Sequence, residues 1–277
     1  MRGDKDMTMK SFKSLALALA LAAASAAPSL AAGGDGPKPE RLNWSFAGPF
    51  GMFDRAQLQR GFKVYREVCA ACHSMNLLSF RNLMEPGGPE FSEAQVRALA
   101  AEYKVKDYDD KGEPIERPAR PSDRFPKLFA NTDAAAAVHG AAPPDLSVIA
   151  KARSYSRGFP MFVLDAFPGS AYQEHGVDYL VALLTGYTKD DDPNWNAYYP
   201  GNQIKMAKPL SDGQVEYTDG SPATMQQYSR DVAAFLMWAA EPKLEARKRT
   251  GLNVMIFLVV FAGLLYFTKK KIWADAH

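Results

Sequence analysis

The stretch Cys69-Ala70-Ala71-Cys72-His73 constrains what this chain can become more than any other. Two cysteines three positions apart with a histidine directly after the second form the attachment pattern of a c-type haem. The thiols add to the two vinyl groups, and the imidazole is placed to bind iron from one side. A redox dithiol or half a zinc site needs the two cysteines but has no use for the histidine. A porphyrin held by three bonds joins the hydrophobic core, so the chain around it must fold as a wrapping. These are the only cysteines among the 277 residues, so one covalently attached haem c consumes both and no structural disulfide is expected.

The two ends say where such a domain works. Residues 1–32 read as a signal peptide: Arg2, Lys5, Lys10 and Lys13 precede the uncharged run Leu15 to Ala24, and small residues follow, with the cut placed between Ala27 and Ala32. Gly251 to Phe267 is uncharged and interrupted only by Asn253, between Arg247-Lys248-Arg249 and Lys269-Lys270-Lys271. With Thr250 and Thr268 it gives roughly 28 Å of helix, close to the hydrocarbon thickness of a bilayer. Flanking charge does not orient it, but the leader does. Residues 33–246 are expected as a periplasmic haem domain, 247–268 as an anchor with its basic lead-in, and 269–277 as a short cytoplasmic tail.

Of 33 basic and 31 acidic residues, ten and three lie in the leader and from Arg247 onward, leaving 23 and 28 in residues 33–246, a net of −5. Clusters at Asp107, Asp109, Asp110 and at Asp190, Asp191, Asp192 are either a solvated surface or a field that steers a positively charged protein. The exported part has no basic patch interleaved with aromatics, which argues against nucleic acid.

Within that part the patterning is helical. A Gly- and Pro-rich arm at 33–51 carries Trp44, Phe46 and Phe50 as anchors. Asp54 caps a helix whose apolar positions Leu58, Phe62, Val64, Tyr65 and Val68 back the porphyrin. Ser92 caps a second helix, and the prolines and charges of 104–127 predict an excursion with little regular structure. Pro143-Pro144 offers a rigid, apolar edge against a porphyrin and leads into a helix capped by Asp145 or Ser147. Lys151 or Arg153 can pair with a haem propionate, and the planar fork of arginine favours Arg153. Val177 to Leu184 forms a short helix ended by Gly186. Ser221-Pro222 starts a last helix, with Met225, Tyr228, Val232, Phe235 and Leu236 on one face, that packs across the first. A short charged helix or linker, Lys243 to Arg249, leads into the anchor.

His73 leaves one iron face open, and an electron carrier needs both filled. A methionine thioether raises the reduction potential. Met52, Met75, Met84, Met161, Met206, Met225 and Met237 are available. Met75 is too near His73 to reach the other face, and a core role suffices for Met237. Met206 leads, in a loop stiffened by Pro200 and Pro209, with Met161, Met225 and a second histidine, His139 or His175, as alternatives.

Taken together, Cys69 to Ser74, Pro143-Pro144-Asp145-Leu146-Ser147, Leu183-Leu184-Thr185-Gly186-Tyr187, Tyr199-Pro200-Gly201 with Met206-Ala207, Asp219 to Met225, and Trp238 to Pro242 resemble the cytochrome c1 family, the haem subunit of the bacterial cytochrome bc1 complex, in a purple-bacterial form. The resemblance implies an all-α, class I cytochrome c-like domain with long loop insertions and one C-terminal transmembrane helix. It implies His73 and Met206 as axial ligands, Arg153 on a propionate and Tyr179 close to the haem, with Pro144 also placed at the cofactor. The implied role is passage of electrons from a Rieske iron–sulfur protein to a periplasmic or membrane-tethered cytochrome c. Cytochrome b and membrane lipid are the other implied partners, in a dimeric multisubunit complex of the inner membrane. A tethered shuttle outside such a complex, a haem subunit of another dehydrogenase or oxidase, and a peroxidase with an open distal site are the competing readings. Residues 154–174 look inserted. Some relatives brace such an insertion with a disulfide that this chain cannot form, and Phe159, Phe162 and Phe167 are available to brace it by packing.

Overall fold

The computed structural model describes residues 37–155 and 174–274. Within them the chain runs α1 (Arg55–Glu67), 3-10 turns at Cys69–Ala71 and Phe80–Met84, α2 (Glu93–Ala101), β1 (Lys104–Tyr108), β2 (Pro114–Pro118), α3 (Thr132–His139), α4 (Ile149–Ala152), α5 (His175–Thr185), α6 (Met225–Ala240) and α7 (Leu244–Ile272). The expected all-α architecture is present, with one small antiparallel hairpin inserted in it. The leader, Met161 and the three phenylalanines of the 154–174 segment lie outside the described residues.

Local chemistry sets most of the helix ends. Asp54 accepts the Gln57 N–H at 3.1 Å, and Ser92 accepts that of Gln95 while the Gln95 side chain returns to the Ser92 N–H. These satisfy donors that no helix can pair internally. Gly186 ends α5 as expected. α6 begins later than Ser221-Pro222 suggests: Asp219 takes the Ser221 N–H at 3.0 Å, holding that stretch in a turn, and Thr224 caps the helix instead. Asp145 and Ser147 do not cap α4, because their side chains are committed elsewhere, and α4 starts without a side-chain cap. The charged stretch before the anchor is not separate: α7 is one helix of 29 residues whose first residue, Leu244, is buried in the core.

The hairpin pairs Lys104 with Pro118 through Tyr108 with Pro114. Its prolines sit at the ends of β2, where they interrupt little of the ladder. Asp109 accepts the N–H groups of Lys111 and Glu113, and Gly112 takes φ +82°, which closes the turn. Arg117 clips Asp107 at 2.5 Å and Asp123 at 2.7 Å. The prolines therefore bound the strand rather than exclude it.

The core is built on the crossing of α1 and α6. Phe62 meets Phe235 edge-on at 5.5 Å, and Tyr65, Phe125 and Trp238 extend the aromatic cluster. Contact this close requires Gly61, where a Cβ would stand 2.0 Å from the Asp231 carbonyl oxygen. The fully buried Asp231 carboxylate is bonded by Gln57, Arg60, Tyr217 and Gln227, as a buried charge must be. The amino-terminal arm is pinned by Trp44 and Phe46, with the Trp44 indole N–H donating to Asp178 at 2.7 Å. Phe50, expected to help pin it, is instead exposed.

Two outcomes follow from the crossing. Gly61→Ala should cost at least about 2 kcal/mol, because backbone rather than a flexible side chain stands in the way; a lowered melting temperature of the haem-loaded protein in detergent is the measurement. The Asp219 carboxyl is held down to about 2 by the Ser221 N–H and by Arg60. A folded value below the unfolded one stabilises the fold at neutral pH, and that contribution is lost as pH falls from about 4 through about 2. Asp219→Asn should flatten the acid limb of the melting temperature against pH in that window.

Candidate functional site

α1 ends at Val68, and the next residues wind into the 3-10 turn that carries both cysteines. The Cys69 carbonyl accepts the N–H groups of Cys72 at 3.2 Å and His73 at 2.9 Å, so the backbone itself holds the motif in a turn. Both cysteines are free thiols, and desolvation pushes that of Cys69 up to about 12. The Tyr65 hydroxyl donates to the His73 carbonyl at 3.3 Å and ties the turn back to α1.

His73 is oriented from the opposite strand of chain. Its Nδ1 lies 2.8 Å from the Pro144 carbonyl oxygen. A carbonyl only accepts, so Nδ1 carries the proton and Nε2 presents its lone pair. Burial lowers the imidazole's proton affinity, further favouring the neutral form. The Pro144 carbonyl is held in place by a zipper between 74–77 and 145–147. Asp145 accepts the Asn76 N–H and the Ser147 N–H, each at 2.8 Å. Ser147 accepts that of Leu77 at 3.0 Å, and the Ser74 carbonyl accepts that of Leu146 at 2.9 Å. Pro144 thus acts through its carbonyl, a role its apolar ring does not announce.

Arg153 and Tyr179 are brought together. Arg153 ends α4 and Tyr179 is buried in α5; the helices touch at Gly176, where a Cβ would meet the Ala150 carbonyl oxygen. Desolvation raises the Tyr179 phenol, and the Arg153 charge opposes that rise. Among the described residues Arg153 is exposed and forms no ion pair, whereas Lys151 is held by Glu241 at 2.8 Å. Of the two cations considered for a propionate, Lys151 is thus already paired.

Met206 is half-buried in a braced loop. The Tyr187 hydroxyl, beyond the end of α5, donates to the Met206 carbonyl at 2.7 Å, and burial pushes that phenol up to about 12. The fully buried Asn196 donates its side-chain amide to the Leu183 carbonyl at 2.7 Å and its N–H to the Asn202 carbonyl at 2.9 Å, and the Asn202 side-chain amide donates back to the Asn196 carbonyl at 3.0 Å; the positive φ of Asn202, 61°, follows Gly201 at 76°. Asn196 and Tyr187 are the organisers that patterning did not single out as such; an asparagine in a polar loop gives no signal of burial. Of the alternatives, Met225 opens α6 and packs against the core, and His175 stacks on Tyr155 at 4.8 Å. His139 packs edge-on against Phe129, with its Nε2 buried and unpartnered.

The acidic clusters are partly turn chemistry. Asp107 and Asp109 serve the hairpin, and Asp192 accepts from Asn194 and Gln203. Asp110, Asp190 and Asp191 remain exposed.

Residues 44–276 match the Cytochrome C1 family. The chain belongs to the cytochrome c1 family. It is 52% identical over 258 residues to cytochrome c1 of Blastochloris viridis, covering 89% of each chain. It is 42% identical over 242 residues to the mitochondrial cytochrome c1 haem protein of Saccharomyces cerevisiae, covering 83% of this chain and 71% of that one. It is 59% identical over 250 residues to cytochrome b/c1 of Bradyrhizobium diazoefficiens, covering 87% of this chain and 36% of that longer protein. As a cytochrome c1 family member it has an electron-transfer role, as a non-catalytic redox subunit of a bc1-type complex. The family implies a covalent haem c, and the donor set fits one: two unbridged thiols and an imidazole with a free Nε2. Among the described residues no group of three or more His, Cys, Asp or Glu side chains could hold a metal ion.

Asp145→Ala removes the acceptor of two part-buried N–H groups. It should cost about 1–3 kcal/mol of stability and turn the His73 ring, read by thermal melting together with a change in the low-temperature EPR g values of the oxidised protein.

Proposed function

We propose that this chain is the electron-transfer subunit of a ubiquinol:cytochrome c oxidoreductase, taking electrons from a Rieske iron–sulfur protein and passing them to a periplasmic or membrane-tethered cytochrome c. The observation that carries the reading is His73, held on a Cys-X-X-Cys turn by the Pro144 carbonyl with Nε2 left free, in a cytochrome c1 family chain with a membrane-length helix. Bound haem supplies one-electron exchange without bond making. The chain's residues supply the rest. Cys69 and Cys72 would attach the macrocycle, and His73, through Nε2, and Met206, through its thioether, would ligate its iron. Arg153 pairs with a propionate, with Tyr179 packed beside it. The loop bracing by Tyr187 and Asn196 favours Met206 as a ligand, since an axial ligand must keep its position in both oxidation states.

The leader and the anchor set the haem domain on the periplasmic side of the inner membrane, with the C-terminus cytoplasmic after a single pass. The assembly includes cytochrome b in a dimeric multisubunit complex. Asp110, Asp190 and Asp191, with no role in the turns, contribute to attraction of a basic acceptor, which weakens with salt.

A purification tag on this chain should bring cytochrome b and an iron–sulfur protein out of detergent-solubilised membranes; recovery without them would favour a lone tethered shuttle. Met206→Leu in those membranes should lower the haem midpoint potential steeply and admit an external ligand such as carbon monoxide. An unchanged potential would remove Met206 from the iron.

A further inference from the structure

The arm that enters the domain carries an apolar loop that the haem site does not use. Between Trp44 and Phe53 the chain makes a tight, self-closed turn: the Ala47 N–H donates to the Trp44 carbonyl at 3.1 Å, and the Met52 N–H to the Ser45 carbonyl at 2.9 Å. Gly48 takes φ +71°, and a Cβ on Gly51 would stand 2.2 Å from the Ala47 carbonyl oxygen. The roots of the loop are aromatic, with Trp44 and Phe46 buried in the core, Phe46 stacked near Trp44 at 5.3 Å and tilted against the half-buried Phe53 at 4.9 Å. Its tip does the reverse: Phe50 is 73% exposed and Met52 62% exposed. A loop built this tightly does not leave two large apolar side chains in water by accident of flexibility, and neighbouring exposed apolar groups mark an interaction surface.

What covers them follows from where the loop is fastened. The Phe53 N–H donates to Glu245 at 2.8 Å, and the Lys248 ammonium donates to the carbonyls of Phe46 at 2.6 Å and Gly51 at 3.3 Å. Both partners lie on α7, just before its apolar run begins at Gly251. At the rise of an α-helix, Glu245 and Lys248 precede Gly251 by about 9 Å and about 4.5 Å. The headgroup layer occupies about 5–7 Å on each side of the hydrocarbon. The Lys248 clamp therefore lies at the height of the lipid headgroups and the Glu245 clamp just outside them, which sets the loop at the interface, where apolar side chains find the acyl boundary and the backbone stays hydrated.

We propose that the 47–53 loop is a membrane foot, with Phe50 and Met52 seated in the lipid interface beside α7. It rests on α7 crossing a bilayer and on nothing about the haem's partners. The foot gives the domain a second point of contact with the lipid surface, away from the helix axis.

Because haem attachment consumes Cys69 and Cys72, a single introduced cysteine can carry a nitroxide label. The experiment uses the full-length haem-loaded chain with Phe50→Cys, Met52→Cys or Val259→Cys, in phosphatidylethanolamine–phosphatidylglycerol vesicles and in native membranes. Collisions with oxygen, which concentrates in lipid, are compared with those with a water-soluble nickel chelate. Val259, at mid-helix, tests the span itself: a buffer-like reading there would fail the anchor separately from the foot. With Val259 lipid-like, the labels at 50 and 52 should show an oxygen-to-nickel ratio several-fold above that of free label in buffer and below that of Val259. A buffer-like ratio at both sites overturns the foot. Shielding from both reagents in native membranes also overturns it, by showing a protein subunit over the loop.

Discussion

Everything in the domain that carries the Cys69 to His73 turn depends on how closely α1 and α6 approach at Gly61. A single missing Cβ lets the Asp231 carbonyl come within a distance no other residue allows, and the aromatic cluster closes around that contact. The direction of α1 is then set, and with it the position of the 3-10 turn that carries Cys69, Cys72 and His73. The same crossing buries Asp231, and four side chains converge to keep its charge paired. Packing and electrostatics thus enforce one geometry, and a change in either would reach the cofactor turn through α1.

The site is assembled from segments that are remote in sequence and individually unremarkable in conformation. His73 gains its tautomer from Pro144, Pro144 gains its position from Asp145, and Asp145 gains its partners from Asn76 and Ser147. Each link is an ordinary hydrogen bond of modest net worth, but a chain of them inside a partly desolvated region leaves little freedom for the imidazole. The Met206 loop is braced in the same manner by Tyr187 and Asn196. Both proposed iron faces are therefore approached by groups whose carbonyls or neighbours are held by hydrogen bonds within the chain.

What was legible in the sequence was local. Covalent attachment needs its residues adjacent, so the haem turn stood in plain view, and the caps at Asp54 and Ser92 and the stop at Gly186 needed only their immediate neighbours. The anchor was legible from its length and its flanking charges. Features decided by distant partners were not: Asp145 looks like a helix cap until Asn76, 69 positions away, claims it, and Asn196 looks like loop filler until Leu183 buries it. The hairpin was hidden by its own prolines, which read as breakers although they sit where strands end. Ser221-Pro222 carried a strong helix-start pattern, and Asp219 with Arg60 diverted it into a turn.

The unbroken course of α7 has a mechanical consequence. Leu244 is rooted in the core, Glu85 holds Lys243, Glu241 holds Arg247, and the same helix continues without a linker to Ile272. A helix of this length, about 43 Å, joined to its domain by packing instead of a flexible tether, behaves as a mast. The domain cannot swing toward and away from the bilayer independently of its anchor, so the turn from Cys69 to His73 stands at a set altitude. A change in that altitude requires bending α7 or breaking the ion pairs at its root, so the height of the turn is fixed by packing.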